Sequence, residues 1–452
     1  MKQRVVFLFY HGMGHILAVL KIARILEEAN YEVYFAGTAF FQSHVLTLGF
    51  KFYLLKSYPF GYGFEKWVNT VEKRKHVTLA SLRDRISDRL YHEREVDLFW
   101  MIEELKPNTI LIDSRQATDF IVMYNQVKKR EIRVGIVHPM LPLHFVPGRP
   151  PLNSDAFPND KAAVKKAERQ MKWNQFKSTF KKKLIWLGFD ERYIIQRRLK
   201  RNSTPEKYIS KHRGLLNFAL REIDQFIISP KEFDFPDFEP EPNQHYVGFM
   251  TFENRNVELE KDFKDSLSHI LAIKEKEKSK LIYCSFGTIE PKEKVVMSSF
   301  LRKVVAVTSQ EQFILILSLR ANDEDISEFK LAKNVFTFKS VPQLEVLKYS
   351  DVFITHCGMN SIKEAVLHEV PMLAYPIHPE FDPYGNAARI AYNKLGLRGN
   401  AMADTPNEIR LKIKEILSNP IYRKNIQALK RHDMLYTASN FMKKFLSIKA
   451  PS

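Results

Sequence analysis

The chain has 452 residues, 45% of them hydrophobic and 27% charged, enough for two domains with their own buried cores, which excludes a disordered polypeptide. Its two cysteines, Cys284 and Cys357, lie in separate apolar runs with no second thiol nearby; this excludes a thiolate zinc site and fits a reducing, cytoplasmic compartment. The formal charge of +18 is concentrated: residues 160–213 hold 17 Lys and Arg against 5 Asp and Glu, a net of +12.

In chain order, the opening MKQRVVFLFYHGMGHILAVL is apolar but breaks at a Gly-containing turn and has no small-residue cleavage site. It reads as a strand, Val5 to Tyr10, followed by Ile16, Val19, Leu20, Ile22, Ala23 and Leu26 at helical spacing. YEVYFA, KFYLL, TILI and IRVGIV continue the alternation of strands with helical stretches, the pattern of a parallel sheet wrapped on both faces. The basic segment from Asp160 to Arg213 mixes its charge with Trp173, Phe176, Phe180, Leu184, Ile185 and Trp186. That composition suits basic amphipathic helices with peripheral membrane contact, or else a solvated helical face. No zinc finger, RNA-recognition signature or basic zipper is spelled, so no nucleic-acid partner is expected.

From Ser229 to Gln244 the chain turns rich in Pro and acidic residues, which breaks helix and strand alike and reads as a linker. We place the domain boundary there, giving domains 1–242 and 243–452. KLIYCSF, QFILILSL, NVFTF, DVFIT and PMLAY then form a second set of strands, and a final helix is expected around 421–446. The fold class is therefore α/β, with two Rossmann-like domains facing across a cleft. Ligands of such sheets sit beyond the carboxyl ends of the strands, so the strand-to-helix turns should carry the chemistry. No run of about eighteen uninterrupted apolar residues occurs, which points to a soluble or membrane-peripheral protein.

The first such turn is HGMGH, His11 to His15. A dinucleotide fingerprint would need a third glycine where Leu17 stands and an acidic residue near Ala36 and Gly37, so it does not apply. What the turn offers is His15, an imidazole at the cleft mouth suited to general-base work, or simply a histidine capping the turn. Asp113 ends the run TILID at the same sheet edge; it either fixes the tautomer of His15 or caps the helix beginning near Gln116. The most informative stretch runs from Asp351 to Pro376, DVFITHCGMNSIKEAVLHEVPMLAYP. A strand delivers His356, Gly358 ends it, and Asn360 and Ser361 open a helix whose N-terminus suits a diphosphate. Glu364 could accept from ribose hydroxyls, although Ser361 to Glu364 also spells a capping box.

This stretch resembles the donor-binding signature of the family 1 UDP-glycosyltransferases, which have the GT-B fold. The resemblance extends in order over Gly14 and His15, the VGF of Val247 to Phe249, the SFGT of Ser285 to Thr288, the VPQ of Val341 to Gln343, and THCGMNSIKEA. It implies an inverting transfer of a sugar from a UDP-sugar, or another nucleotide diphosphate sugar, to a hydroxyl of a small acceptor, with no metal and no further cofactor. His15 would be the base and Asp113 its orienting carboxylate. Ser285 and Thr288 would contact phosphate; His356, Gly358, Asn360 and Ser361 would hold the diphosphate. Glu364 would take the ribose, Val341 and Gln343 the base edge, and Asp382 the sugar.

The sequence departs from the family pattern at several points. Ser340 replaces the tryptophan that stacks on uracil, Pro383 replaces the glutamine after Asp382, Ala18 replaces a proline, and Met359 stands where plant members carry tryptophan. The apolar loop His138 to Pro151 and the aromatic segment Tyr58 to Trp67 favour a lipophilic acceptor. Asp323-Glu324-Asp325 spells the DxD used for metal binding in another glycosyltransferase fold, but reads here as a chance triplet or a helix cap. The rival readings are a GT-B epimerase or hydrolase of nucleotide sugars, and a noncatalytic nucleotide-sugar or membrane-binding protein.

Overall fold

A computed structural model describes residues 2–451 except 212–213, 217, 237, 254–260, 288–293, 312, 320–328, 330–331 and 378–380. The first half supplies strands β1 (Arg4–Leu8), β2 (Glu32–Gly37), β3 (Lys51–Leu54), β4 (Thr109–Asp113), β5 (Arg133–His138), β6 (Gln225–Ile227) and β7 (Gln244–Tyr246). They form one parallel seven-stranded sheet in the order β3-β2-β1-β4-β5-β6-β7. The second half supplies β8 (Lys280–Ser285), β9 (Phe313–Ser318), β10 (Val335–Phe338), β11 (Val352–Thr355), β12 (Met372–Ala374) and β13 (Gly396–Arg398). These make a second parallel sheet, β10-β9-β8-β11-β12-β13. In each sheet the order reverses beside the first strand, which opens a crevice at the strands' carboxyl ends.

Burial explains the choice of residues. Every side chain of β4 (TILID) and of β9 (FILILS) is buried, as expected of strands covered on both faces by helices. The helix Met13–Glu28 buries Ile16, Ala18, Val19, Leu20, Ile22, Ala23, Ile25 and Leu26 against β1 and β2, a stripe too wide for a surface helix.

The Pro-rich stretch is not a tether between domains. It is the crossover from β6 to β7 inside the first sheet, and it is anchored at its centre: Phe233, Asp234 and Phe235 are buried. Asp234 accepts from Arg149, from Tyr246 OH (2.9 Å) and from Arg389 Nε (2.8 Å), the last belonging to the second half. Composition alone misread it because prolines that cannot pair in a ladder still suit a buried crossover whose polar groups are satisfied by side chains. The first sheet accordingly extends past Pro242 to Tyr246, and the chain enters the second domain at Val247–Phe249.

The last helix also differs from the expected single element. Ile421–Asp433 packs Ile426 and Leu429 into the second domain, the chain turns at 434–437, and Ala438–Leu446 returns to the first sheet. Thr437 caps that second piece, accepting from Asn440 N at 3.2 Å, while Phe441 and Phe445 join the cluster built on Val5, Phe7 and Val137.

The two chain crossings touch. Phe249 N donates to Asp433 Oδ1 at 2.6 Å, and Gly248, at φ +82°, passes so close that a Cβ there would lie 2.6 Å from Tyr436 Cβ. Burial pushes the Asp433 carboxyl up from 3.8 to about 6. A carboxyl held more strongly protonated in the folded state adds stability that is complete below pH 4 and is lost as pH rises through about 6. Asp433→Asn, which keeps an acceptor for Phe249 N, should therefore raise stability at pH 7.5 by roughly 1–2 kcal/mol and leave it unchanged near pH 4. Urea unfolding at the two pH values checks this.

Candidate active site

The site is assembled from turns at facing edges of the two sheets. On the first side, β1 ends at Leu8 and the helix Met13–Glu28 begins inside the HGMGH turn, which places His15 in its first turn. His15 Nδ1 lies 2.6 Å from Asp113 Oδ2, and the two side chains are 12% and 3% exposed. The other oxygen, Asp113 Oδ1, accepts from Arg115 N at 2.8 Å, capping the short 3-10 turn Ser114–Gln116. One carboxylate oxygen thus meets His15 and the other caps this 3-10 turn, whereas the helix that follows, Thr118–Lys129, begins after Ala117 without a side-chain cap. Because a carboxylate only accepts, the shared proton sits on His15 Nδ1, which leaves Nε2 as the ring nitrogen that Asp113 does not engage.

Aromatic rings surround this corner. The Tyr10 ring is 5.2 Å from that of His15, and His11 packs against Phe41 (4.9 Å), Tyr58 (5.8 Å) and Phe64 (6.3 Å). Burial lowers the pKa of His11, which keeps it neutral within this apolar wall. Arg115 holds its guanidinium 5.8 Å from the Tyr10 ring and 4.7 Å from the ring of Phe381 across the cleft.

On the second side, Ser285 ends β8 in register with Thr355 of β11 and Ser318 of β9. The ring of His356 lies over the following turn: a Cβ on Gly358 would be 2.8 Å from its Nε2, and one on Gly287 (φ +64°) would be 3.3 Å from its Cε1. Cys357, between His356 and Gly358, has φ +72°, a left-handed conformation that costs a non-glycine residue about 1–3 kcal/mol. The helix Met359–Leu367 then starts with Gly358 as N-cap and no side-chain cap. The capping box spelled by Ser361 and Glu364 does not form, because the helix starts two residues before Ser361. Ser361 lies inside the first turn, and the backbone N–H groups of that turn have no side-chain cap.

The two sides meet directly, since Asn360 Nδ2 donates to Gly14 O at 2.8 Å and so joins the starts of the two helices. Behind them, the buried Glu364 accepts from Gln343 Nε2 at 2.8 Å, and Gln343 also reaches Ser361 Oγ at 3.4 Å and Tyr283 OH at 3.3 Å. Val341 is half-buried beside them, and Ser340 is exposed. Asp382 is buried at the start of the helix Pro383–Tyr392 and accepts from Asn386 Nδ2 at 2.7 Å; the same amide group donates to Cys357 O at 2.9 Å. Asn386, which the sequence reading missed, thus ties the Asp382 loop to the strained turn. Its only sequence signal is the four-residue spacing from Asp382. Thr288 and the Asp323-Glu324-Asp325 triplet lie outside the described residues, and among the described residues no cluster of His, Cys, Asp and Glu has the makings of a metal site.

Two cavities lie behind this corner, in the loop after β5, and His144 lines both. One is bounded by Leu143, Phe145, Leu152, Met171 and Arg389; the other by Ser114, Ile136, His138, Leu220 and Gln225. Neither contains His15, which is bordered instead by the aromatic wall. His138 bonds Gln225 Oε1 at 3.0 Å, and burial pushes its pKa down to about 3 and that of His144 to about 4, so both are neutral near pH 7.

Residues 323–434 match the profile of a family described as UDP-glucoronosyl and UDP-glucosyl transferase. The chain is 24% identical over 223 residues to UDP-glycosyltransferase 2 of Phaeomoniella chlamydospora, covering 48% of this chain and 46% of that protein. It is 31% identical over 107 residues to UDP-glucuronosyltransferase 2B17 of Homo sapiens, covering 23% and 20%. The chain spans less than half the length of the curated relatives it matches. Among solved structures, the glycotransferase of kitacinnamycin superposes with TM-score 0.68 at 17% identity over 98% of this chain and 99% of that one. The two-domain GT-B fold is therefore shared from end to end.

Asn386 offers a structural check. Replacing it with Ala removes two bonds from a fully buried site and leaves Cys357 O without that donor. Asn386→Ala should cost about 2–3 kcal/mol in urea unfolding. A cost under about 0.5 kcal/mol would show that the strained turn does not need this amide.

Proposed function

We propose that this chain, related in sequence to the UDP-dependent sugar transferases and folded as a GT-B protein, is an inverting glycosyltransferase that needs no metal. It moves a sugar from a nucleotide diphosphate donor, UDP-sugar in the first place, to a hydroxyl of a small lipophilic acceptor. The observation that carries this reading is the His15–Asp113 pair at 2.6 Å, set at a helix start that the donor-side helix touches through Asn360 and Gly14.

The chemistry follows from that placement. Asp113 holds the Nδ1 proton of His15, and Nε2 takes the proton of the acceptor hydroxyl as its oxygen attacks the anomeric carbon. The bond from that carbon to the diphosphate oxygen breaks on the opposite face, which inverts the configuration. The diphosphate departs toward the uncapped N-terminus of Met359–Leu367, with His356, Gly358, Asn360 and Ser361 beside it and Ser285 at the end of β8; Thr288 is assigned to phosphate by the sequence resemblance alone. Glu364 takes the ribose hydroxyls, Val341 and Gln343 the base edge, and Asp382 the sugar. The rings of Tyr10, Tyr58 and Phe64 form a wall for an apolar acceptor, and a cytoplasmic setting fits two buried free cysteines.

Calorimetric titration of UDP, dTDP and GDP without added metal is the direct test: one nucleoside diphosphate should bind selectively, and binding of none would overturn the donor site. His15→Ala should lower transfer by roughly 10²–10⁴-fold while nucleotide affinity stays within about twofold. Asp113→Asn should give a comparable loss in kcat with KM for the donor unchanged, because an amide no longer fixes the Nδ1 proton. Full transfer by the His15 variant would remove the base assignment. Ser340→Trp should tighten UDP binding about tenfold by giving uracil a ring to stack on.

A further inference from the structure

The basic segment plays no part in the chemistry above, and the structure shows how its residues are arranged. Residues 161–185 form one long helix, Lys161–Ile185, that buries only Val164 and Met171. Its inner side is fastened to the loop after β5, where Glu168 accepts from Gly148 N at 2.7 Å, and to the segment before β6, where Gln175 donates to Gly214 O; from the flank, Lys172 lies 5.0 Å from the ring of Phe145. At 3.6 residues per turn, Trp173, Phe176 and Phe180 project roughly 160° around the helix from Val164 and Met171. They are 55%, 60% and 57% exposed, Leu184 (63%) prolongs the stripe, and Leu187 (73%) is exposed just past the end of the helix. Large apolar side chains exposed in one continuous row on a helix are not the ordinary scatter of surface hydrophobics.

The charge beside the stripe identifies what covers it. The helix carries nine Lys and Arg against the single Glu168, a net of +8, and Lys165, Lys172 and Lys183 lie on one shoulder of the stripe with Lys177 and Lys181 on the other. All five are exposed. By contrast, the basic residues of the next helix are partly spent inside the protein, where Arg197, Arg198 and Arg201 converge on Asp88. A second copy of the same helix would bring two sets of like charge together. Single-stranded nucleic acid needs free ring faces, whereas Trp173, Phe176 and Phe180 stack on each other (5.7 Å at 16° and 6.3 Å at 19°) and the row continues in aliphatic side chains.

We propose that the outer face of Lys161–Ile185 is a docking surface for an anionic lipid bilayer, with Trp173, Phe176, Phe180 and Leu184 entering the headgroup boundary and the flanking lysines meeting the anionic headgroups. The surface does not depend on the transferase reading, because none of its residues belongs to the cleft.

The test is co-sedimentation of the full chain with phosphatidylcholine vesicles, with or without about one third phosphatidylglycerol, at low salt and at about 0.5 M salt. The unsubstituted protein should bind the anionic vesicles at low salt and lose most of that binding at high salt. The triple variant Trp173→Ser/Phe176→Ser/Phe180→Ser, and separately Lys177→Glu/Lys181→Glu/Lys183→Glu, should each bind at least about tenfold less. Because these positions are exposed, circular dichroism and UDP titration should match the unsubstituted protein, which separates failure of the docking surface from failure of the donor site. Absence of binding to anionic vesicles, equal binding by either triple variant, or equal binding to neutral vesicles would each overturn the proposal. So would a dimer, or a complex with an oligonucleotide, that depends on the three rings while vesicles are ignored.

Discussion

The arrangement of the cleft depends on one buried carboxylate. Asp234 sits between Arg149 from the loop after β5 and Arg389 from the second domain, takes a further bond from Tyr246, and is held well below the usual carboxylate range by the two guanidinium groups. Arg389 in turn lies 4.2 Å from the ring of Phe235 and donates to Gly385 O, and Arg149 lies 3.9 Å from the ring of Phe238. Three segments distant in sequence are thereby fixed at one point. Removing the carboxylate would leave two buried cations without a counter-charge, a far larger penalty than the net worth of any single pair. The apolar cluster around it, which combines Leu143 and Leu152 with Phe233, Phe249 and the second sheet, makes the junction as much a core as an interface.

From this junction the functional geometry follows outward. The helix Pro383–Tyr392 that carries Arg389 also carries Asn386, and Asn386 holds both Asp382 and the carbonyl of the left-handed Cys357. The left-handed Cys357 turns the chain between His356 and the N-terminus of Met359–Leu367, and Asn360 joins that N-terminus to the first domain. The two bonds donated by Asn386 tie this conformation to the Asp382 loop, whereas an isolated turn would relax it.

The sequence made much of this legible where a single physical cause dominates. Runs such as TILID and QFILILSL are strands because both faces are covered, and HGMGH and THCGMNS are turns because glycine and a helix start coincide. Three-residue strands at Gln225–Ile227, Gln244–Tyr246 and Gly396–Arg398 left no comparable periodicity, being too short to repeat a pattern. The Pro-rich segment misled because composition reports backbone preference and not where a crossover is buried. The Ser361–Glu364 box misled because the helix starts at Met359, and Glu364 is claimed by Gln343, a partner 21 residues away. The pairing of His15 with Asp113, across 98 residues, was accessible only as two groups assigned to the same sheet edge. The outward row of rings on Lys161–Ile185 was visible as composition, but its direction became clear only once Val164 and Met171 fixed the inner side.

The contact between the two chain crossings at Gly248 and Asp433–Tyr436 has a mechanical consequence. Two connections set far apart would act as paired pins and restrict the domains to rotation about a single line. Two connections in contact link the domains at one place, and the core shared by the two halves continues from it through Phe249 and Phe233. The opposing helix starts at Gly14 and Asn360 are held together separately, by their own hydrogen bond. Gly248 is where the crossings come closest: a side chain there would collide with Tyr436 and Asp433 and drive them apart.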